Sequence, residues 1–174
     1  MSGQAGRYQR SAMGMVGAMI VLVAVVLAFV VLRDINRTDP ESPVRAVEYE
    51  QTARFARQQA AIEVVAPEPL PEGWKVTSVE FVPRPARWHL GQLTDEGKYV
   101  GLEQADRSPE SMVETYVDQD ATRGEEVTVD GDSWTSWTDA GGDTALVRSD
   151  GSTTTLVVGT ADQGVLVDYI KTLR

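Results

Sequence analysis

Cysteine is absent from this 174-residue sequence. A lipidated N-terminal cysteine, a disulfide framework, thiolate catalysis and cysteine-based metal sites are therefore excluded. Any folded domain must be held together by packing alone. The roughly 130 residues that follow the N-terminal region can bury about two-thirds of their unfolded surface in one core, so we expect one domain.

Basic charge is also scarce, because 16 Lys and Arg stand against 26 Asp and Glu. All the acidic residues and 14 of the basic ones follow residue 32, which gives that part of the chain a charge of −12. Nucleic acids and anionic lipid headgroups both require clustered Lys and Arg. We therefore expect no nucleic-acid partner, and solubility in an aqueous compartment is a sufficient explanation of the acidity.

One stretch lacks polar side chains altogether, since residues 12–32 contain no charge, amide or hydroxyl. As a helix these residues would be roughly 31 Å long, which matches the hydrocarbon core of a bilayer. Arg7 and Arg10 precede the stretch without any acidic residue, so the positive-inside rule places residues 1–11 in the cytoplasm. We predict a single-pass protein of the cell membrane whose C-terminal part is extracytoplasmic.

A cleaved signal peptide is the alternative interpretation of this N-terminus. Signal peptides have apolar runs of about 7 to 15 residues and a cleavage site with small residues. Here the run is longer and ends in bulky side chains, FVVL at 29–32. We therefore interpret residues 12–32 as an uncleaved signal-anchor, residues 33–43 as a tether and residues 44–174 as the extracytoplasmic domain.

The pattern of residues 44–174 predicts an α+β fold, with an antiparallel sheet of about six to seven strands packed by two or three helices. Runs rich in β-branched residues between Gly and Pro turns indicate the strands. These strands are 75–82, 87–93, 98–104, 125–129, 133–138, 144–148 and 153–159. The predicted helices are 50–61, one that begins at Ser108-Pro109, and 161–173 with Thr160 as its cap.

The loop at residues 94–97 suits a hairpin with Gly97 in the left-handed conformation. Counting outward from Thr94 opposite Lys98 fixes the register of both strands. One face then carries core residues, which are Trp88, Leu90, Val100 and Leu102. The opposite face carries a candidate exposed interaction strip, which consists of His89, Gly91, Tyr99, Gly101 and Glu103.

Two pairings within this strip carry expectations of their own. Gly91 faces Gly101, which leaves bare backbone, and we expect either the ring of Tyr99 or another segment to lie across it. His89 faces Glu103, which favours a structural ion pair worth about 0.2 to 1 kcal/mol. The carboxylate would raise the pKa of His89, so a pH-sensing role stays open.

His89 is the only histidine, so a Ser-His-Asp triad could use no other residue as its base. No Gly-x-Ser-x-Gly turn supplies a serine, and the sequence indicates neither a partner nucleophile nor a substrate cleft. We therefore expect no enzymatic activity and assign no catalytic residue.

Close carboxylates could bind Ca²⁺ outside the cell at two places, Asp118 with Asp120 and Asp130 with Asp132. Neither pair has the central glycine and terminal glutamate of a calcium loop, so solvated turns are favoured and we expect no metal or other cofactor.

Tryptophans could line a groove for a sugar or a lipid, although core packing is their commoner role. The four are Trp74, Trp88, Trp134 and Trp137. Because Trp134 and Trp137 lie three apart on one strand, we expect them on opposite faces.

Several segments together resemble an uncharacterised family of actinobacterial membrane proteins, the domain-of-unknown-function family 4245. They are LPEGW at 70–74, WHLGQLTDEGKYVGLEQAD at 88–106, Trp134, TALVR at 144–148 and VVGTA at 157–161. The resemblance covers anchor and domain in order. It implies a single N-terminal span, an exported α+β domain and no assigned activity.

An anchor, a full core and the lack of a catalytic set favour a non-enzymatic domain that binds another cell-envelope component. The alternative is a carrier or sensor of a lipid or other apolar ligand, for which we expect a pocket of a few hundred Å³ lined by tryptophans. An enzyme is the third hypothesis, and it requires a cleft in which polar groups converge on His89.

Overall fold

A computed structural model describes residues 14–17, 19–23, 25, 26 and 48–174. The predicted span at 12–32 is described only in part, and the predicted tail at 1–11 and tether at 33–43 lie outside the described residues. The described residues of the span are helical. Within the described ranges, no helix combines the length and apolar character needed to cross a membrane.

The chain divides into two compact units, Met1–Pro43 and Val44–Arg174. In the second unit, three helices are described: α1 (Glu50–Gln59), α2 (Pro109–Tyr116) and α3 (Gln163–Ile170). The seven strands are β1 (Lys75–Pro83), β2 (Ala86–Leu93), β3 (Tyr99–Asp106), β4 (Thr122–Val129), β5 (Asp132–Thr138), β6 (Thr144–Asp150) and β7 (Thr153–Gly159).

All seven strands form one antiparallel sheet in the order β1-β2-β3-β7-β6-β5-β4. Strands β1 to β3 form one meander and strands β4 to β7 form a second, and the pairing of β3 with β7 joins them. The predicted α+β class and strand number are therefore confirmed.

The β2–β3 hairpin has the predicted register, with Gly91 opposite Gly101 and His89 opposite Glu103. The Thr94 N–H donates to the Lys98 carbonyl at 2.9 Å, and Gly97 has a φ of 76°. The left-handed residue lets the loop close without strain, and the loop sets the alternation of both strands.

Each face of the sheet has its own apolar core. The larger core contains the predicted hairpin residues Trp88, Leu90, Val100 and Leu102, all fully buried, together with buried residues of α1 and α3. The smaller core lies under α2, whose Met112 and Val113 pack against β6 and β7. Trp134 belongs to the larger core and Trp137 packs on the smaller one, so their opposite orientation is confirmed.

The expectation that Thr160 caps the last helix is wrong. Asp162 is the N-cap of α3, and the helix is shorter than predicted. The Thr160 hydroxyl instead accepts from the Tyr99 N–H at 3.1 Å, while its own N–H donates to the Tyr99 carbonyl at 3.1 Å. Thr160 thus continues the pairing of β7 with β3, which delays the start of the helix.

Candidate functional site

The candidate interaction strip lies on the sheet face that also carries the smaller core, because Gly101 and Glu103 pair with Val158 and Leu156 of that core. The strip is less exposed than expected. Tyr99 is 37% exposed, whereas Glu103 is 3% exposed and both glycines are buried. These strip residues are buried because other parts of the domain pack on this face of the sheet, and the hairpin sequence alone does not show that packing.

The bare backbone of the two glycines is covered by side chains of the strip and of β1. A Cβ on Gly101 would lie 2.8 Å from the Tyr99 hydroxyl oxygen, and one on Gly91 would lie 3.3 Å from it. The ring of Tyr99 therefore covers Gly101, whereas the atom nearest to a Cβ on Gly91 is Ser78 Oγ of β1, so both alternatives given by the sequence apply.

His89 and Glu103 form the predicted pair, with His89 Nδ1 2.5 Å from Glu103 Oε1. A carboxylate only accepts hydrogen bonds, so Nδ1 carries the hydrogen. The hydrogen bond to Glu103 raises the pKa of His89, against the opposing effect of burial. Burial also raises the pKa of Glu103, while the bond from His89 acts in the opposite direction.

A third side chain completes this cluster and was not found from the sequence. Ser78 of β1 places its Oγ 2.8 Å from His89 Nε2. The β1–β2 register shifts by one residue between Val76 and Ser78, so that Ser78 lies opposite Gly91. Without this bulge Thr77 would face Gly91 and Ser78 would turn to the other side of the sheet.

A second candidate site lies where residues 71–74, the β2–β3 loop and α3 meet. It is a groove of about 430 Å³, called here the Trp74 groove. Its apolar lining consists of Pro71, Trp74, Ala161, Val165 and Tyr169. Its charged lining consists of Asp95, Glu96, Lys98, Asp162 and Asp168.

Trp74 is held in this groove by stacking and by the turn that precedes it. Its ring is stacked on Tyr169, with centroids 5.4 Å apart and planes 8° from parallel. Gln92 donates to the buried Tyr169 hydroxyl at 2.6 Å, which fixes the lower ring. Gly73 has a φ of 80°, and a Cβ there would lie 2.9 Å from Asp95 Cβ, so glycine allows the turn to approach the hairpin loop.

Carboxylates dominate the charge of the Trp74 groove. Four of its residues are acidic and one, Lys98, is basic. Asp168 also pairs with Lys171 at 2.8 Å, but both side chains are largely exposed, so water screens this pair. The groove thus combines an aromatic surface with a negative potential.

The carboxylate pairs considered for Ca²⁺ take part in local protein contacts. Asp118 accepts a hydrogen bond from the Asp120 N–H at 2.7 Å, and Asp132 pairs with Arg148 at 2.7 Å. No group of three or more metal-binding side chains converges among residues 48–174 or the described part of the N-terminal helix.

Comparison with known proteins places the chain in a family but gives it no characterised relative. No curated protein and no solved structure matches it. A family model matches residues 7–173, nearly the whole chain, and the chain therefore belongs to the family described as "Protein of unknown function (DUF4245)".

Proposed function

We propose that this protein is a membrane-anchored, extracytoplasmic binding domain, and that its Trp74 groove binds a basic segment of another cell-envelope protein. The observation that carries the proposal is the combination of an aromatic surface with four carboxylates in a groove of about 430 Å³. Aromatic rings and carboxylates together suit Lys or Arg, whose apolar stems pack on a ring while the charged ends pair with acids.

The exposure of the groove residues supports a peptide more than an enclosed small molecule. Val165 is 36% exposed and Trp74 is half-buried, whereas Trp88 and Trp134 are buried in the core. The larger core is therefore occupied by the chain's own side chains. A partner that adds to a surface groove fits this arrangement.

A carrier or sensor of a lipid is the alternative, and the apolar lining of the groove favours it. The carboxylates of the groove argue against fatty acids and anionic phospholipids as ligands, because like charges repel. The alternative therefore applies only to an apolar or cationic ligand.

The compartment is part of the same proposal. Residues 12–32 anchor the chain as an uncleaved signal-anchor, residues 1–11 lie in the cytoplasm and residues 44–174 lie outside it. The apolar length of this stretch and the placement of Arg7 and Arg10 support this orientation. The short tether then keeps the domain close to the membrane, where it can bind a partner in the envelope.

Site-specific crosslinking in the native membrane tests the groove. A photo-crosslinking phenylalanine replaces Val165 in the full-length protein, and its adducts are analysed by mass spectrometry for both peptide and lipid. We expect a peptide adduct with Lys or Arg next to the crosslinked residue. The double variant Asp95→Asn, Asp162→Asn should lower its yield severalfold, because it removes half of the groove's acidic charge.

The matched control for charge is Asp118→Asn with Asp120→Asn, which removes two carboxylates away from the groove and should leave the yield unchanged. The control for position is the same crosslinker at Thr128, an exposed residue of β4. A lipid adduct at position 165 would support the carrier hypothesis instead. Equal yields at 165 and 128 would contradict both.

A further inference from the structure

We propose that Ser78 is a nucleophile, that His89 is its general base and that Glu103 is the residue that positions His89, so that the three form a Ser-His-Glu site for acyl transfer from carboxylic esters. The proposal rests on their juxtaposition across three neighbouring strands. Ser78 Oγ lies 2.8 Å from His89 Nε2, and His89 Nδ1 lies 2.5 Å from Glu103 Oε1. None of these residues lines the Trp74 groove, so this inference is independent of the proposed function.

The direction of the hydrogen bonds follows from the chemistry of the groups. Because Nδ1 donates to the carboxylate, the neutral imidazole presents Nε2 as an acceptor to the Ser78 hydroxyl. This is the tautomer that a serine nucleophile requires. A simple ion pair between His89 and Glu103 does not require a hydroxyl group hydrogen-bonded to the second ring nitrogen, so the position of Ser78 is an additional feature.

The three side chains differ in their exposure to solvent, and the differences suit their proposed roles. Glu103 is 3% exposed, and its Oε2 has no hydrogen-bond partner in the part of the chain that the structure describes. The side chain of His89 is 22% exposed and Ser78 is half-buried on β1, which is an edge strand. A substrate can therefore approach the serine while the carboxylate remains shielded from water.

The glycine pair allows the Tyr99 hydroxyl to lie beside the serine. A Cβ on Gly91 would clash with Ser78 Oγ and would lie 3.3 Å from the Tyr99 hydroxyl oxygen. The two hydroxyls thus share the space above one glycine. Burial and Glu103 raise the pKa of Tyr99, so its phenol stays protonated and can donate to an oxyanion.

The reaction balances without any group that the chain lacks. Ser78 Oγ forms a bond to the ester carbonyl carbon while its proton passes to His89 Nε2. The carbon–oxygen bond of the ester then breaks, and the leaving alcohol takes that proton. Water attacks the acyl-serine with His89 again as base, which releases the carboxylic acid and restores Ser78.

A fluorophosphonate probe tests the nucleophile directly, because Ser78 Oγ would displace fluoride at phosphorus while the proton leaves through His89. The full-length protein in detergent is treated with the probe, and the adduct is located by mass spectrometry. We expect labelling at Ser78 that is abolished in Ser78→Ala and falls about 100-fold in His89→Gln, the scale of a lost general base.

Ser133→Ala is the matched control, since Ser133 is also a strand serine whose hydroxyl bonds to a side chain, but its partner is the Glu126 carboxylate at 3.0 Å and not an imidazole. It should leave labelling at Ser78 unchanged. Melting temperatures show whether each variant is folded. Labelling of the native protein at Ser78 no faster than at Ser133 would overturn the proposal.

The pH profile of labelling separates positioning by Glu103 from a merely structural role. The charged groups that face His89 are Glu103 on β3, Glu80 on β1 and Arg87 on β2. Labelling should rise with pH as His89 loses its proton. Glu103→Gln should move the midpoint to lower pH and reduce the plateau rate, whereas an unchanged midpoint in folded protein would contradict the role of Glu103.

Discussion

At the residue scale, the His89–Glu103 pair makes stability depend on pH. Both groups have a pKa above the ordinary value in the folded protein. At pH values between the ordinary pKa and the folded pKa, the folded protein therefore binds more protons than the unfolded chain. Stability falls with rising pH wherever the folded state holds the extra protons. The contribution of His89 is thus fully present below its ordinary pKa of 6.5 and is lost as pH rises through its folded value.

We therefore expect the free energy of unfolding to decrease from about pH 6, below the ordinary pKa of histidine, to about pH 8.5, well above it. Urea denaturation at both pH values measures the decrease. In His89→Gln the decrease should be smaller, because the titrating group is gone. An equal decrease in the variant and the native protein would show that another group is responsible.

At the element scale, the pairing of β3 with β7 holds the two meanders in one sheet, and Gly159 packs directly against the backbone of β3. A Cβ on Gly159 would clash with the Tyr99 carbonyl oxygen and would lie 3.0 Å from the carbonyl carbon. Backbone atoms of a central strand cannot move aside as a side chain can.

Gly159→Ala should therefore destabilise the protein by about 1–3 kcal/mol, the typical cost of overpacking. Gly101→Ala is the matched substitution on the neighbouring strand, and it should cost less because its Cβ meets only side-chain atoms of Tyr99, which is 37% exposed and can turn toward solvent. Urea denaturation of the two variants gives the comparison. A larger loss in Gly101→Ala than in Gly159→Ala would contradict this account.

Local rules predict the hairpin fully and the wider sheet only in part. The loop at 94–97 and the alternation of two give the register of β2 with β3, so His89 and Glu103 are paired correctly from the sequence. The pairing of β3 with β7 joins residues about 55 apart and is decided by packing, which local patterns do not contain. Thr160 follows the same pairing, and for that reason its predicted cap is wrong.

The candidate sites depend on the same distant contacts. Ser78 reaches His89 only because one extra residue in β1 shifts the register, and no turn residue in the sequence marks that bulge. Trp74 stacks on Tyr169, which lies far from it in the sequence. Residue types and their spacing indicate His89 and the tryptophans as candidates, but the fold alone selects the serine and places Trp74 beside Tyr169 in a groove.

At the scale of the whole molecule, the absence of cysteine allows a direct test of the proposed topology. A single cysteine is placed either before the apolar stretch, as Ser2→Cys, or in the exposed β6–β7 turn, as Ser152→Cys. A membrane-impermeant maleimide should label Ser152→Cys in intact cells and Ser2→Cys only after lysis, because the positive-inside rule keeps Arg7 and Arg10 in the cytoplasm. The native protein is the unlabelled control, and the mass of the labelled protein shows whether the anchor is retained. Labelling of Ser2→Cys in intact cells, or loss of residues 1–32 from the mature chain, would overturn the signal-anchor proposal and leave the binding and nucleophile proposals to be tested on the released domain.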